Sequence, residues 1–217
     1  MDPHSQSTPE TRAESRSLDD IVFRKLNATD HAAFEAHLLA LDPDSRRSRF
    51  GMTATDAFLE QYAARCITLN AIIHGAFLGE ELIGAAEMRP VGDFIAEEAE
   101  IAFSVRQDWR NCGIGSVLFA RVLRSARNRG FVRLYMSCLK HNAPMRALAR
   151  KFSAEIHVEF DEAVALVEPP RQTIISLLRE VFDEASAFTA IALDWQRRAI
   201  LGREPRNGDV RPQKPAA

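Results

Sequence analysis

The run EIAFSVRQDWRNCGIGSVLFARVLRSARNRG, from Glu100 to Gly130, constrains the chain more than any other. An apolar strand through Val105 gives way to a polar loop holding Gly113 and Gly115, and then to an apolar stripe with arginines on its other side. A strand, a glycine turn and a helix start in direct succession can aim consecutive backbone N–H groups, together with the positive end of the helix dipole, at an anion. Gly113 and Gly115 lack the Cβ atoms that would hold phosphate oxygens away, and Arg110 or Arg106 can add charge-assisted hydrogen bonds. The loop suits a pyrophosphate. It matches neither the GxxxxGK[ST] nucleotide loop nor the GxGxxG dinucleotide fingerprint, because no third glycine or acidic ribose ligand follows. A GxG at such a turn is also an ordinary tight connection, so its surroundings must decide.

Those surroundings alternate. IVFRKL (Ile21 to Leu26) reads as a strand, and Thr29 is expected to cap a helix with Ala33, Phe34, His37, Leu38 and Leu41 on one face, ended by Pro43. DPDSRRSRFGMTATDAFLEQYAARC then reads as a turn of helix, a loop and a second helix capped at Thr53 or Thr55. AIIHGAFLGEELIGAAEMRP is a hairpin turning at Gly79-Glu80-Glu81. After the glycine loop come a helix from about Gly115 to Arg129, the strand FVRLYMSCL, a helix from about Asn142 to Phe152, and the strands AEIHVEF and AVALVE. This order defines an α+β class built on a mixed, mostly antiparallel sheet flanked by helices. Past Pro169-Pro170, apolar residues at Ile174, Leu178, Val181, Ala185, Phe188, Ala192 and Trp195 predict a long C-terminal amphipathic helix. The expected organisation is a polar, disordered tail over 1–18, one domain over 19–169, the C-terminal helix over 170–201 and a second disordered tail over 202–217.

Composition excludes several functions. With 217 residues and 46% hydrophobic content the chain can bury one ordinary core. A net charge of −2 supplies no basic field for nucleic acid or an anionic membrane, so neither partner is expected. Cys66, Cys112 and Cys138 have neither a pairing pattern nor metal-ligand spacing, so no metal is expected and a reducing cytoplasm fits best. No apolar run reaches the roughly 20 residues that span a bilayer, and the N-terminal residues lack the apolar segment of a signal peptide.

The Glu100 to Phe152 stretch resembles the acetyl-CoA-binding core of the GNAT superfamily of N-acetyltransferases, whose [RQ]xxGx[GA] signature matches Arg110, Gly113 and Gly115. HNAPMRALARKF is similar to the next motif of that family, an asparagine opening a helix after the fifth strand. LDPDSRRSRFG and AEIAFSV are similar to segments of the bacterial Pat-type protein lysine acetyltransferases. The resemblance implies acetyl-CoA as acyl donor, with strands around Val105 and Cys138 splayed to admit the pantetheine arm. It places that arm on the main chain of Phe103, Ser104 and Val105. It places the pyrophosphate on Arg110, Asn111 and the amides of Cys112, Gly113, Ile114, Gly115 and Ser116, with Asn142 and Arg146 alongside. Asn142 as a plain helix cap is the alternative.

Acetyl transfer needs a neutral amine, whereas a lysine has a reference pKa of roughly 10.4, so a base must take a proton. Glu100 is the candidate: it shares a strand face with Ala102 and Ser104, Pat-type enzymes have a glutamate there, and burial could raise its pKa towards working pH. Glu97 and Glu98 make a solvated acidic loop the competing reading. The tyrosine that protonates the leaving thiolate in many family members is replaced by Ala149, leaving Tyr135, Ser137 and Cys138 as neighbours by proximity. Ser153 stands where the family usually has glycine. Cys112 as a nucleophile is argued against by its place in the phosphate loop, and His74, His141 and His157 lack ligand spacing. The expected function is acetyl transfer to a primary amine, a protein lysine by resemblance. The rivals are a catalytically silent acyl-CoA-binding module, a small-molecule amine acetyltransferase, or an interaction protein built on its C-terminal helix, whose apolar stripe is expected to pack on its own domain or, in the alternative, on a second copy in a homodimer.

Overall fold

The computed structural model describes residues 18–66, 71–92, 97–159 and 162–169. The expected C-terminal helix and both tails, apart from Leu18, lie outside the described residues. Strand β1 (Ile21–Lys25) leads into helices α1 (His31–Leu39), α2 (Pro43–Phe50) and α3 (Asp56–Cys66). The hairpin β2 (Ile72–Leu78) and β3 (Glu81–Pro90) follows, then β4 (Glu98–Val105), α4 (Ile114–Asn128), β5 (Arg133–Leu139), α5 (Ala143–Lys151), β6 (Glu155–Glu159) and β7 (Glu162–Val167). The strands form one sheet in the order β1-β2-β3-β4-β5-β7-β6, antiparallel throughout except for β4 against β5.

Two local details depart from the sequence reading. Asn27, not Thr29, is the cap: its side chain accepts from the Thr29 N–H at 2.9 Å, and Asp30 closes a capping box on the Asn27 N–H at 2.9 Å. Asp30 is available for this because Arg24 grips both its carboxylate oxygens, at 2.6 and 2.7 Å, and holds its carboxyl below the usual range against the opposing effect of burial, the largest single influence. Pro43 does more than end α1: it starts a helix of eight residues where the sequence suggests a single turn. It opens the first turn of α2, where its missing N–H costs nothing, and Asp42 caps that helix by accepting from the Ser45 N–H at 2.9 Å. Gly51, at φ +70°, ends α2 in the left-handed conformation that glycine adopts without a Cβ penalty.

Strand alternation assigns the two faces of the sheet. On one, Phe34 and Leu38 of α1 and Leu59 of α3 bury against Ile73, Phe77, Leu82 and Ala85. On the other, Leu118, Phe119 and Val122 of α4 bury against Ile83, Met88, Ile101, Leu134 and Met136. The Phe119 ring stacks between Phe103 of β4 and Phe152 after α5, at 5.1 and 4.2 Å between centroids, tying both helices to the strand that precedes the glycine loop.

β4 and β5 pair only at Glu98–Arg133, Ala99–Leu134 and Glu100–Tyr135. Beyond Glu100 the two strands part, while β4 stays paired with β3 up to Val105 and β5 stays paired with β7 up to Leu139. The sheet therefore opens as a V with its apex at Glu100, and the edge of β4 from Ile101 to Val105 has no strand partner on the β5 side. This is the splay that the resemblance implies.

Candidate active site

A cleft of about 570 Å³ fills the mouth of the V. Its walls are Ala102–Val105 of β4, Ser137 and Cys138 of β5, the loop and helix start at Trp109–Asn111 and Gly113–Ser116, one face of α5, and Ser45, Ser48 and Arg49 of α2. Of the residues expected at a cofactor site, Phe103, Ser104, Val105, Arg110, Asn111, Gly113, Ile114, Gly115, Ser116 and Asn142 all line it; Cys112, Arg146 and Glu100 do not.

The loop takes its shape from left-handed backbone at Asn111 (φ +62°) and Gly113 (φ +89°), the second of which caps α4 without a side chain. Ser116 and Val117 donate their N–H groups to the Gly113 carbonyl, whereas those of Asn111 to Gly115 donate to no carbonyl among the described residues. Those amides crowd the N-terminus of a fifteen-residue helix, where an anion is favoured. Arg110 is turned away from them: its Nη2 donates to Ser45 Oγ and lies 3.5 Å from Asp42, joining the loop to α2. The cation beside the helix start is Lys151 of α5, which the sequence reading missed; its Nζ donates to Ser116 Oγ at 2.9 Å. Pro144, Leu148 and Lys151, spaced four and three apart, share the cleft-facing side of α5, a spacing that could have found it.

Asn142 caps α5, its Oδ1 accepting from the Met145 N–H at 3.2 Å, and it lines the cleft as well. Ala149 is wholly buried on α5, so no hydroxyl stands at that position. Ser153 takes φ +58°, which shows why a glycine suits this helix end. Burial pushes the Cys138 thiol up, against a smaller opposing effect of Arg146.

Glu100 is exposed, at the apex of the V, and pairs in register with Arg89 and Tyr135. The burial expected of it is absent. Of its neighbours, Glu98 is committed to Arg133, whose Nε donates at 2.6 Å and holds the Glu98 carboxyl below the usual carboxylate range. The buried carboxylate at this end is Glu87 of β3, which periodicity did not single out. Only 2% exposed, it accepts from Arg49 at 2.6 Å, Tyr62 at 2.8 Å and Arg89 at 2.9 Å. A carboxylate so buried must be paired, and three donors hold this one.

Behind β4, His37 of α1 is 2% exposed and bridges two strands: Nδ1 lies 3.0 Å from the Leu82 carbonyl and Nε2 lies 2.8 Å from Ser104 Oγ. Burial, assisted by the charges of Arg106 and Arg49 and opposed by the Leu82 bond, lowers its pKa to about 4, so the ring is neutral at physiological pH.

Residues 38–153 match the model of the acetyltransferase (GNAT) family, more than half of the chain. The solved GNAT domain of S. lividans PAT is similar in fold, with 19% identity and a TM-score of 0.60 over 67% of this chain and 89% of that one. A GNAT-family acetyltransferase from Streptococcus pneumoniae is similar at 18% identity and TM-score 0.53, over 67% of this chain and 96% of that one. The PaiA N-acetyltransferase of Thermoplasma acidophilum, solved in complex with coenzyme A, is similar at 15% identity and TM-score 0.52, over 68% and 98%. The chain belongs to the GNAT acetyltransferase family, whose enzymes move an acyl group from acyl-CoA to an amine.

Proposed function

We propose that the chain transfers acetyl from acetyl-CoA to a primary amine, a protein lysine, with Glu100 as general base. The observation that carries this reading is the V, which sets an unpaired strand edge and helix-start amides around one cleft, with the Glu100 carboxylate at its apex, outside the cleft lining. The residues fit the donor. Phe103–Val105 offer main-chain groups on the edge facing away from β3 to the pantetheine amides, Gly113 to Gly115 offer N–H groups to the pyrophosphate, Lys151 offers countercharge, and the Asn142 NH2 remains after capping. The bound donor supplies an activated thioester carbonyl.

The amine enters from the α2 side, over Ala102. Glu100 removes its surplus proton, directly or through water, and its exposure lets that proton pass to solvent. The amine nitrogen forms the amide bond as the carbon–sulfur bond breaks, and the second proton that this nitrogen sheds passes through water to Glu100 or to solvent. With Ala149 in place of a hydroxyl, the CoA thiolate leaves without a tyrosine acid. Protein lysine is favoured over a small amine by the likeness of LDPDSRRSRFG to the Pat-type enzymes, since that segment becomes α2 and contributes to the cleft wall. The free state of Cys66, Cys112 and Cys138 supports a cytoplasmic setting. A homodimer through the stripe at 170–201 is tested by sedimentation, which would return twice the monomer mass.

Glu100→Gln is expected to keep the fold and CoA affinity while turnover falls by roughly 10²- to 10⁴-fold. Near-normal turnover would move the role to Glu97 or to solvent.

A further inference from the structure

The charged residues that line the cleft are Arg49, Arg110 and Lys151, and no aspartate or glutamate joins them among the described residues. Two of these cations are accounted for. Lys151 stands at the start of α4, where the pyrophosphate needs a countercharge, and Arg110 is turned to Asp42 and Ser45. Arg49 of α2 remains, on the wall past which the amine enters. Its Nη2 donates to Glu87 at 2.6 Å and to Tyr62 at 2.8 Å. Neither Nε nor Nη1 makes a hydrogen bond among the described residues, and of these two only Nε is shut away from solvent. In a side chain 10% exposed and set in the cleft wall, Nη1 is the nitrogen left open to the cleft.

A guanidinium that served only to hold a buried carboxylate would turn its fork on it, two parallel N–H bonds to two oxygens. Arg49 gives Glu87 one nitrogen. The second Glu87 oxygen is held by Tyr62 and Arg89, so the Nη1 hydrogens stay spare. Free guanidinium N–H groups in a wall without carboxylates repel an ammonium and draw a carboxylate. Glu87 stands opposite Ala102 across β3 and β4, with roughly 5 Å between Cβ atoms, and Glu100 lies two residues along β4 from Ala102, roughly 7 Å away. The Arg49–Glu87 pair and Glu100 are therefore separated by on the order of 10 Å, too far for one group to meet both and suited to two groups of one acceptor. We propose that Arg49 selects the acceptor by binding, through Nη1, a carboxylate on a residue beside the reacting lysine. This rests on the acetyltransfer reading above and names its acceptor class, a lysine in an acidic stretch of chain. A free amino acid would present the same carboxylate on the amine-bearing molecule itself.

A phosphate of the donor is the competing anion, and position argues against it. The amides that suit the pyrophosphate lie past Val105, at the start of α4, whereas Arg49 is bonded to Glu87, in register with Ala102 and nearer the apex of the V. Arg49 accordingly faces the acceptor.

The test is steady-state kinetics with acetyl-CoA on wild type and Arg49→Lys, with CoA titration calorimetry alongside. The acceptors are a peptide with glutamate on both sides of its lysine, the same peptide with glutamine there, free lysine and lysine amide. Wild type is expected to favour the glutamate peptide in kcat/KM by about 10- to 100-fold, the range of a hydrogen bond to a charged group, and added salt should narrow the ratio. Arg49→Lys leaves a cation beside Glu87 but no second nitrogen, so the ratio should fall to within about threefold while CoA affinity stays within about twofold. A wild-type ratio near one overturns the proposal, even where Arg49→Lys fails to fold. So does a ratio that survives intact in Arg49→Lys, and so does a loss confined to CoA affinity, which would put a phosphate on Arg49. Preference for free lysine over lysine amide, with neither peptide used, overturns the peptide assignment and makes an amino acid the acceptor. A wild type that turns over no amine overturns the acetyltransfer reading and this inference together, an outcome distinct from an active wild type indifferent to the flanking charge.

Discussion

The His37 site makes stability depend on pH in a window set by the fold. Its pKa is about 4 in the protein against 6.5 for an unstrained histidine, a difference whose full development is worth about 3 kcal/mol. Because the folded value is depressed, the unfolded chain binds more protons between about pH 6.5 and pH 4, and stability rises with pH across that window. The contribution is fully present above about 6.5 and is lost as the pH falls towards 4. Lowering the pH from about 7 to about 5 should cost about 2 kcal/mol from this residue alone. Asp30 and Asp42 have carboxyls held below 3.8, so the stability they contribute disappears at lower pH and does not overlap. His37→Gln isolates the effect, since an amide can still donate to Leu82 and accept from Ser104 but does not titrate. Urea unfolding of both proteins at the two pH values should show the wild type losing about 2 kcal/mol more than the variant. Equal losses would refute the argument, because a buried neutral imidazole cannot be indifferent to acid.

Gly113→Val puts a β-branched residue at φ +89°, where an L side chain costs about 1–2 kcal/mol, and adds bulk beside the loop amides; calorimetry should show weaker CoA binding, and unchanged affinity would move the pyrophosphate elsewhere. Asn142→Ala removes the cap of α5 and should lower stability by about 1 kcal/mol; weakened CoA affinity would show that the NH2 group binds as well, and unchanged affinity would leave Asn142 a cap alone. Glu87→Ala strands Arg49, which is nine-tenths buried, and should cost about 3–5 kcal/mol by thermal or urea unfolding; an unaltered midpoint would mean that the cluster is not needed for folding.

How much of this is legible in the sequence follows from the range of each signal. The run from Glu100 to Gly130 is read nearly residue by residue, because strand alternation, glycine conformational freedom and a helix start are local properties. The correct face for Glu100, Ala102 and Ser104 follows from the two-residue period of a strand. The carboxylate–arginine cluster is not legible, because Arg49, Tyr62 and Glu87 are separated by 13 to 38 positions and meet only when α2 and α3 pack on β3. His37 is correctly set on a buried helix face, but its partner lies 67 residues away. The α2 wall is underestimated, since the sequence suggests one helical turn after Pro43 where the Asp42 cap opens a helix of eight residues. Arg110 fits the phosphate motif by type, yet Asp42 and Ser45 draw it aside while Lys151 comes in from a helix whose approach only the folded sheet defines.

The central claim is acetyl transfer to an amine with Glu100 as base, and the release of free CoA thiol from acetyl-CoA, with and without a lysine-containing peptide, tests it most directly. The account predicts peptide-dependent thiol release matched mole for mole by acetylated peptide, and its collapse in Glu100→Gln while CoA still binds. Thiol release that is absent, or that proceeds equally without any amine, would contradict it.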